Sequence, residues 1–249
     1  MKIKAIGPSS KGEAPSIFYE LLLRLYTSYA SPGTEISLVS PEAPPGLGGW
    51  PGLVSGNLTE AYTEGIAPFV VKEAVKAEKE GFDAVIICGE YNVGAEVARH
   101  MVNIPVVDTG TASLHIAALI GDRVCVLIPH DSIASYARKL FKRFGMNDFV
   151  TSIKSWNIPI DEAWESRKAQ VKDKTISLCR TAIEEEGAQV ILPFCVVFIP
   201  QTISPDEIET EVGVPVIDGM AVSVKMAEMF VNLKIHTSRK AYPYSKLNL

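Results

Sequence analysis

Gly81-Phe82-Asp83-Ala84-Val85-Ile86-Ile87-Cys88-Gly89 aligns without gaps on Gly187-Ala188-Gln189-Val190-Ile191-Leu192-Pro193-Phe194-Cys195, so the chain states one structural phrase twice. Each copy leads to a second matched phrase, Asn103-Ile104-Pro105-Val106-Val107-Asp108 in the first half and Gly213-Val214-Pro215-Val216-Ile217-Asp218 in the second. Two lobes of one design are expected from this repetition. The alignment also pairs Cys195 with Gly89. If a pseudo-two-fold axis relates the halves, these two strand ends flank one cleft, with a thiol on one wall only.

Outward from the repeat, short apolar runs recur at 3–6, 35–39, 84–88, 105–107, 123–128, 190–194 and 215–217. Amphipathic helical patterns lie between them at 17–29, 68–80 and 131–144. Strands that read as continuous apolar runs and alternate with helices imply an α/β protein with parallel sheets covered on both faces. Ser204-Pro205-Asp206-Glu207 carries the capping residue, first-turn proline and acidic third position of a helix start, so a helix is expected over 205–211. Its copy in the first half is expected to begin near Asn92 and run to Met101, and a further helix is expected over 221–232. The repeat divides the chain into a first lobe, 1–112, and a second, 113–222, with 223–249 returning to the first.

The 249 residues, 47% of them hydrophobic, suffice for one substantial core or two small ones. A net charge of −5 gives no footprint for nucleic acid. The N-terminus is too short in apolar residues for a signal peptide, and the longest apolar run, 190–200, falls short of the ~20 residues that span a bilayer. A cytoplasmic protein is expected, with a small-molecule partner, no nucleic acid and no membrane; a homo-oligomer is left open. The cysteines at 88, 125, 179 and 195 show no CxxC pairing and no clustered histidines, which argues against a zinc site or a disulfide framework. Cys125 and Cys179 sit within a strand and a helical stretch, where free cysteine packs as a small hydrophobe. Gly46-Leu47-Gly48-Gly49 lacks the third glycine and flanking elements of a dinucleotide fingerprint, and no GxxxxGK[ST] occurs.

Ligands of open α/β sheets collect beyond the carboxyl ends of the strands, which selects the loops 8–10, 89–92, 109–111, 129–132 and 195–198. Cys195 is the leading candidate for chemistry. A thiol of pKa about 8.5 in model peptides can act as acid or base near neutrality, and backbone N–H groups in a following turn favour its thiolate. Glu90 and Tyr91 follow Gly89 and are the candidate second acid or base, a carboxyl in a dry cleft having its pKa raised. Cys88 lies one residue out of register with Cys195 and is read as structural. Ser9, Ser10, Gly89, Thr109, Thr111, His130 and Val196 are candidates for binding substrate, the hydroxyls and His130 by holding its oxygens. The segment 41–56, dense in proline and glycine, is expected to lack regular structure, and Trp50 within it to pack as an ordinary indole or close over a ligand.

These residues resemble the aspartate/glutamate/hydantoin racemase superfamily across nearly the whole chain, most closely its hydantoin racemase branch. Ile6-Gly7-Pro8-Ser9-Ser10 resembles the opening INPNS phrase of that family. Ser31-Pro32-Gly33-Thr34-Glu35-Ile36 and Val39-Ser40-Pro41-Glu42 resemble its second-strand region, and 233–242 resembles its ending. The stretches 82–99 and 189–195 resemble the segments carrying its first and second cysteines. The resemblance implies two flavodoxin-like lobes related by a pseudo-two-fold axis, no cofactor, and one cysteine from each lobe facing the reacting carbon from opposite sides. Cys195 takes the second position, whereas the first falls on Gly89. In that respect the chain is similar to arylmalonate decarboxylases, and Thr111-Ala112-Ser113-Leu114 resembles their STAVL stretch.

The expected activity is a cofactor-independent racemase or isomerase exchanging a proton at a carbon acid next to a carbonyl, on a hydantoin-like or amino-acid-derived substrate. A decarboxylase of malonate-type substrates with Cys195 as proton donor is one alternative. A ligand-binding protein without catalysis is the other.

Overall fold

The computed structural model describes residues 1–160, 164–245 and 247. The first half runs β1 (Lys2–Ile6), α1 (Ser16–Tyr29), β2 (Glu35–Val39), α2 (Gly49–Val54), α3 (Glu60–Lys79), β3 (Ala84–Ile87), α4 (Ala95–Met101), β4 (Val106–Asp108) and α5 (Thr109–Ile120). The second continues with β5 (Val124–Ile128), α6 (Ala134–Arg143), β6 (Val150–Ser155), α7 (Lys168–Glu186), β7 (Val190–Pro193), α8 (Pro205–Val212) and α9 (Gly219–Asn232). Among the described residues the strands form two parallel sheets, ordered β2-β1-β3-β4 and β6-β5-β7.

The duplicated phrase sets equivalent geometry in both sheets. Val85 pairs with Val106 in the first, and its counterpart Ile191 makes a parallel bridge to Val216, the counterpart of Val106, in the second. The opening glycines of the two copies, Gly81 and Gly187, both stop a helix with positive φ, at +80° and +66°, a conformation that costs glycine least. The closing aspartates both cap a helix. Asp108 accepts from the Thr111 N–H at 3.0 Å, and Asp218 from those of Met220 and Ala221 at 2.9 and 3.0 Å, each satisfying amides that a helix start leaves unpaired.

Side-chain alternation splits the strands between two apolar layers. Ala84, Ile86 and Cys88 of the first sheet join Cys125 and Leu127 of the second in one layer. Val85 and Ile87 join Val124, Val126 and Ile128 in the other. Both layers cross from lobe to lobe, so the lobes share their core. α5 runs unbroken through the expected boundary at 112 and packs on β7, while α9 packs on α1, β3 and β4. Arg239 donates to the Arg99 carbonyl at 2.9 Å, which fixes the tail on α4.

Several expectations differ from the structure in detail. The helix expected from Pro68 starts at Glu60, because Thr63, Ile66 and Ala67 bury the preceding turns and hold a helix through the proline. The segment expected to lack regular structure contains α2, with Trp50 buried and its ring 5.0 Å from that of Phe18. The copy of the 205–211 helix begins at Ala95 rather than near Asn92. The strand expected over 215–217 is reduced to the single bridge at Val216. β6 gave no sequence signal because all its residues are only partly buried or exposed. α7 buries just Val171, Thr175, Cys179 and Ala182, a narrow stripe of small or polar residues with little apolar periodicity. No described helix is long and apolar enough to cross a membrane.

Where the lobes join, Gly110 lies against the backbone of Glu90, and a Cβ added there would collide with the Glu90 carbonyl. Gly110→Ala is therefore expected to lower stability by about 1–3 kcal/mol, the usual range for overpacking a rigid contact, as read from urea unfolding. An unchanged midpoint would contradict this close approach.

Candidate active site

The strand ends of both lobes meet in one cleft. Pro8 and Ser9 follow β1, Gly89 to Tyr91 follow β3, Pro129 follows β5, and Cys195 to Val197 follow β7; all line a cavity of about 550 Å³, measured with its open mouth. Phe18 of α1, Trp50 and Leu53 of α2, Leu58, and Thr63 of α3 complete the wall. The lining is almost wholly apolar and, among the described residues, contains no lysine, arginine or histidine.

Gly89 adopts φ +88°, and a Cβ there would lie 3.3 Å from the Pro8 Cβ. A larger residue at this position would be strained and pressed on Pro8. The next residue, Glu90, is 5% exposed. Burial, with a smaller contribution from the nearby Asp108 charge, pushes its carboxyl up to about 8, against the pull of the Glu90 and Val196 N–H groups. Glu90 is thus mostly protonated at neutral pH.

Cys195 is also buried, and its carbonyl accepts from the N–H groups of Phe198 and Ile199, both at 3.1 Å. The thiol is pushed up to about 12, first by burial and then by the Glu90 charge; the Phe198 and Val197 N–H groups oppose this. The near-neutral thiol expected from the sequence is therefore not found: desolvation outweighs the turn amides, and Cys195 holds its proton at pH 7. The Glu90 charge reaches the thiol, so ionising Glu90 makes the Cys195 proton harder to remove.

Tyr91 lines the cleft but is committed as a strut. Its hydroxyl donates to the Phe194 carbonyl at 3.4 Å, and its ring stacks on Tyr136 at 6.2 Å. Burial raises its phenol well above the ordinary value, which suits packing better than proton exchange. Val196 lines the cleft beside Cys195, its N–H facing the Glu90 carboxyl. Cys88 is fully buried outside the cleft lining, with its thiol pushed up to about 12 by burial.

The hydroxyl and histidine candidates separate. Ser9 lines the cleft and accepts the Trp50 N–H at 2.9 Å, tying α2 to the loop after β1. Ser10 instead donates to the Pro44 and Leu47 carbonyls, at 3.0 and 3.1 Å, and does not line the cleft. Thr109 is fully buried and donates to the Ile87 carbonyl at 3.2 Å, outside the lining. Thr111 faces a different cavity, and His130 sits behind the wall with its Nε2 3.3 Å from the Leu53 carbonyl. Burial lowers the His130 pKa, leaving a neutral ring that holds α2. These four were expected at substrate oxygens because they follow strand ends, but Ser10, Thr109 and His130 direct their side chains into backbone contacts, and the buried Thr111 hydroxyl has no hydrogen-bond partner among the described residues. Phe18, Leu58, Thr63 and Val93 were missed. They reach the cleft from helices and loops whose approach no strand-end rule specifies.

Among the described residues no group of three or more histidine, cysteine, aspartate or glutamate side chains is placed to hold a metal ion. What the cleft offers is a carboxyl from one lobe and a thiol from the other, in apolar surroundings, within a two-lobed α/β protein with parallel sheets. A family model described as Asp/Glu/Hydantoin racemase matches residues 18–227, and the chain belongs to this family. It is 29% identical to a hydantoin racemase of Pseudomonas sp. (strain NS671), covering 98% of this chain and 92% of that protein. A hydantoin racemase of Paenarthrobacter aurescens is 25% identical, with coverages of 99% and 97%. Allantoin racemase from Klebsiella pneumoniae has the same fold, with a TM-score of 0.84 at 23% identity, covering 100% of this chain and 95% of that one. A glycine-to-cysteine variant of arylmalonate decarboxylase superposes with a TM-score of 0.62 at 18% identity, covering 93% and 94%.

The raised Glu90 pKa carries a stability consequence of definite sign. Between the ordinary 4.5 and about 8 the unfolded chain ionises this carboxyl while the folded protein keeps it protonated. Stability from this group is full below the lower value and is lost as pH rises through the upper one. Relative to Glu90→Gln, the native protein is expected to lose stability from about pH 5 to pH 8 in urea titrations; parallel stability curves would contradict the burial of this carboxyl.

Proposed function

We propose that the protein racemises a carbon acid next to a carbonyl, using Cys195 and Glu90 as the two acid/base groups, on an uncharged, hydantoin-like ring with an apolar substituent. The observation that carries this reading is that Glu90 and Cys195, from opposite lobes, line one apolar cleft in which burial raises both groups and the Glu90 charge raises the Cys195 thiol further. Membership of the racemase family and the similarity to hydantoin racemases support it.

In one direction the Glu90 carboxylate takes the proton from carbon, and the C–H electron pair passes into the enolate of the neighbouring carbonyl. The Cys195 S–H then gives its proton to the opposite face, leaving a protonated Glu90 and a thiolate. The reverse direction begins from that state. Either way the active pair holds one proton between two sites, so it carries a single negative charge. The lack of a cationic side chain in the lining favours a neutral ring over a free amino acid or a malonate dianion, whose charges would be desolvated without a partner.

A second reading, a decarboxylase in which Cys195 alone protonates an enolate, is supported by glycine at position 89 and by the fold shared with arylmalonate decarboxylase. The two readings differ in pH dependence. A racemase pair needs one proton between its two groups, either Glu90 ionised with Cys195 protonated or the reverse, so kcat/KM rises with pH and levels off above the Glu90 value of about 8. A decarboxylase needs only the Cys195 proton and is hindered by a Glu90 charge facing an anionic substrate, so its rate falls over the same range. Measured with 5-substituted hydantoins, rising activity that is lost in Cys195→Ala is expected. Full racemisation by Cys195→Ala, or carbon dioxide release from aryl malonates without racemisation, would sink the proposal.

A further inference from the structure

A second cavity, of about 570 Å³ with its open mouth, shares no lining residue with the cleft. Edge strand β4 forms its floor through Val106, Val107 and Asp108. Arg99 of α4, Thr111 of α5, and Met226 and Phe230 of α9 form its walls. The Arg99 side chain is only 16% exposed. Its Nη2 donates to the Val106 carbonyl at 3.2 Å and to Asp108 Oδ2 at a long 3.5 Å. Nη1 and Nε have no hydrogen-bond partner among the described residues, while the guanidinium lies 6.0 Å from the centroid of the Tyr242 ring and Asp108 offsets some of its charge.

Thr111 makes the case independently of the arginine. Its Oγ1 is buried and has no hydrogen-bond partner among the described residues. A buried hydroxyl left unpaired is costly, and here it sits in the wall of a cavity also lined by the Arg99 guanidinium, Met226 and Phe230. A carboxylate matches the planar donor fork and accepts from the hydroxyl, while Met226 and Phe230 suit an apolar body.

We propose that this cavity is a second ligand site, for a small organic monocarboxylate whose carboxylate meets Arg99 and Thr111 and whose apolar body lies on Met226 and Phe230. The site is separate from the catalytic cleft and does not depend on the reaction assigned to it.

Calorimetric titration of the intact protein with phenylpropanoate tests the site. Saturable binding is expected, weakened about tenfold or more, roughly 1.4 kcal/mol, in Arg99→Lys, which keeps the charge but loses the fork. Thr111→Val, which is close to isosteric, is expected to weaken binding, and Met226→Trp to block it by filling the cavity. Thermal unfolding of each variant checks that the fold persists. A neutral 5-substituted hydantoin added to saturation is expected to leave phenylpropanoate binding unchanged. No saturable binding to the native protein, binding undiminished in both Arg99→Lys and Met226→Trp, or displacement by the hydantoin would overturn the proposal.

Discussion

The left-handed turn at Gly89 and the packing of the next peptide on Gly110 together set the position of Glu90, and the site depends on that position. β3 ends inside a closed core, so the chain must turn sharply to leave it, and φ +88° at Gly89 makes the turn. The following carbonyl then seats on the first turn of α5 with no room for a methyl group at 110. Glu90 is consequently held almost fully buried, where its charge reaches Cys195. The same contact joins the lobes, because α5 leaves β4 of the first sheet and packs on β7 of the second.

An architecture with near two-fold repetition thus carries unequal chemistry. Both strand ends open on the cleft, but a thiol stands at one and a glycine followed by a carboxyl at the other. Burial raises both groups without ionising either at neutral pH. In an apolar wall without cations, a single negative charge shared by the pair is easier to sustain than two. That constraint links the fold to the proposed exchange of one proton between two faces of a substrate. It also explains why the remaining wall, with Phe18, Trp50 and Leu53, offers surface for an apolar substituent rather than donors for an anion.

The duplicated phrase made the lobes legible in the sequence because it encodes features fixed by backbone geometry: a helix-ending glycine, a buried strand, a paired neighbour and a capping aspartate. Cys195, Glu90 and Ser9 were legible as cleft residues because they follow strand ends directly. Ser10, Thr109, Thr111 and His130 follow strand ends too, yet their side chains turn away from the cleft, a direction set by dihedral angles that residue type does not specify. α7 was hard to read for another reason: its buried face consists of Val171, Thr175, Cys179 and Ala182, which tertiary packing accepts but periodicity barely marks. The thiol's proton affinity depends on depth of burial, and sequence proximity to turn amides pointed the other way.

Under the proposed reaction Glu90 and Cys195 address opposite faces of one carbon. Deuterium incorporation from heavy water into each separate enantiomer of a 5-substituted hydantoin tests it, with Cys195→Ala and Glu90→Gln compared. Each variant is predicted to exchange the hydrogen of one enantiomer without racemising it, and the two variants are predicted to select opposite enantiomers. Exchange of the same enantiomer by both, or unaltered racemisation by either, would contradict the account.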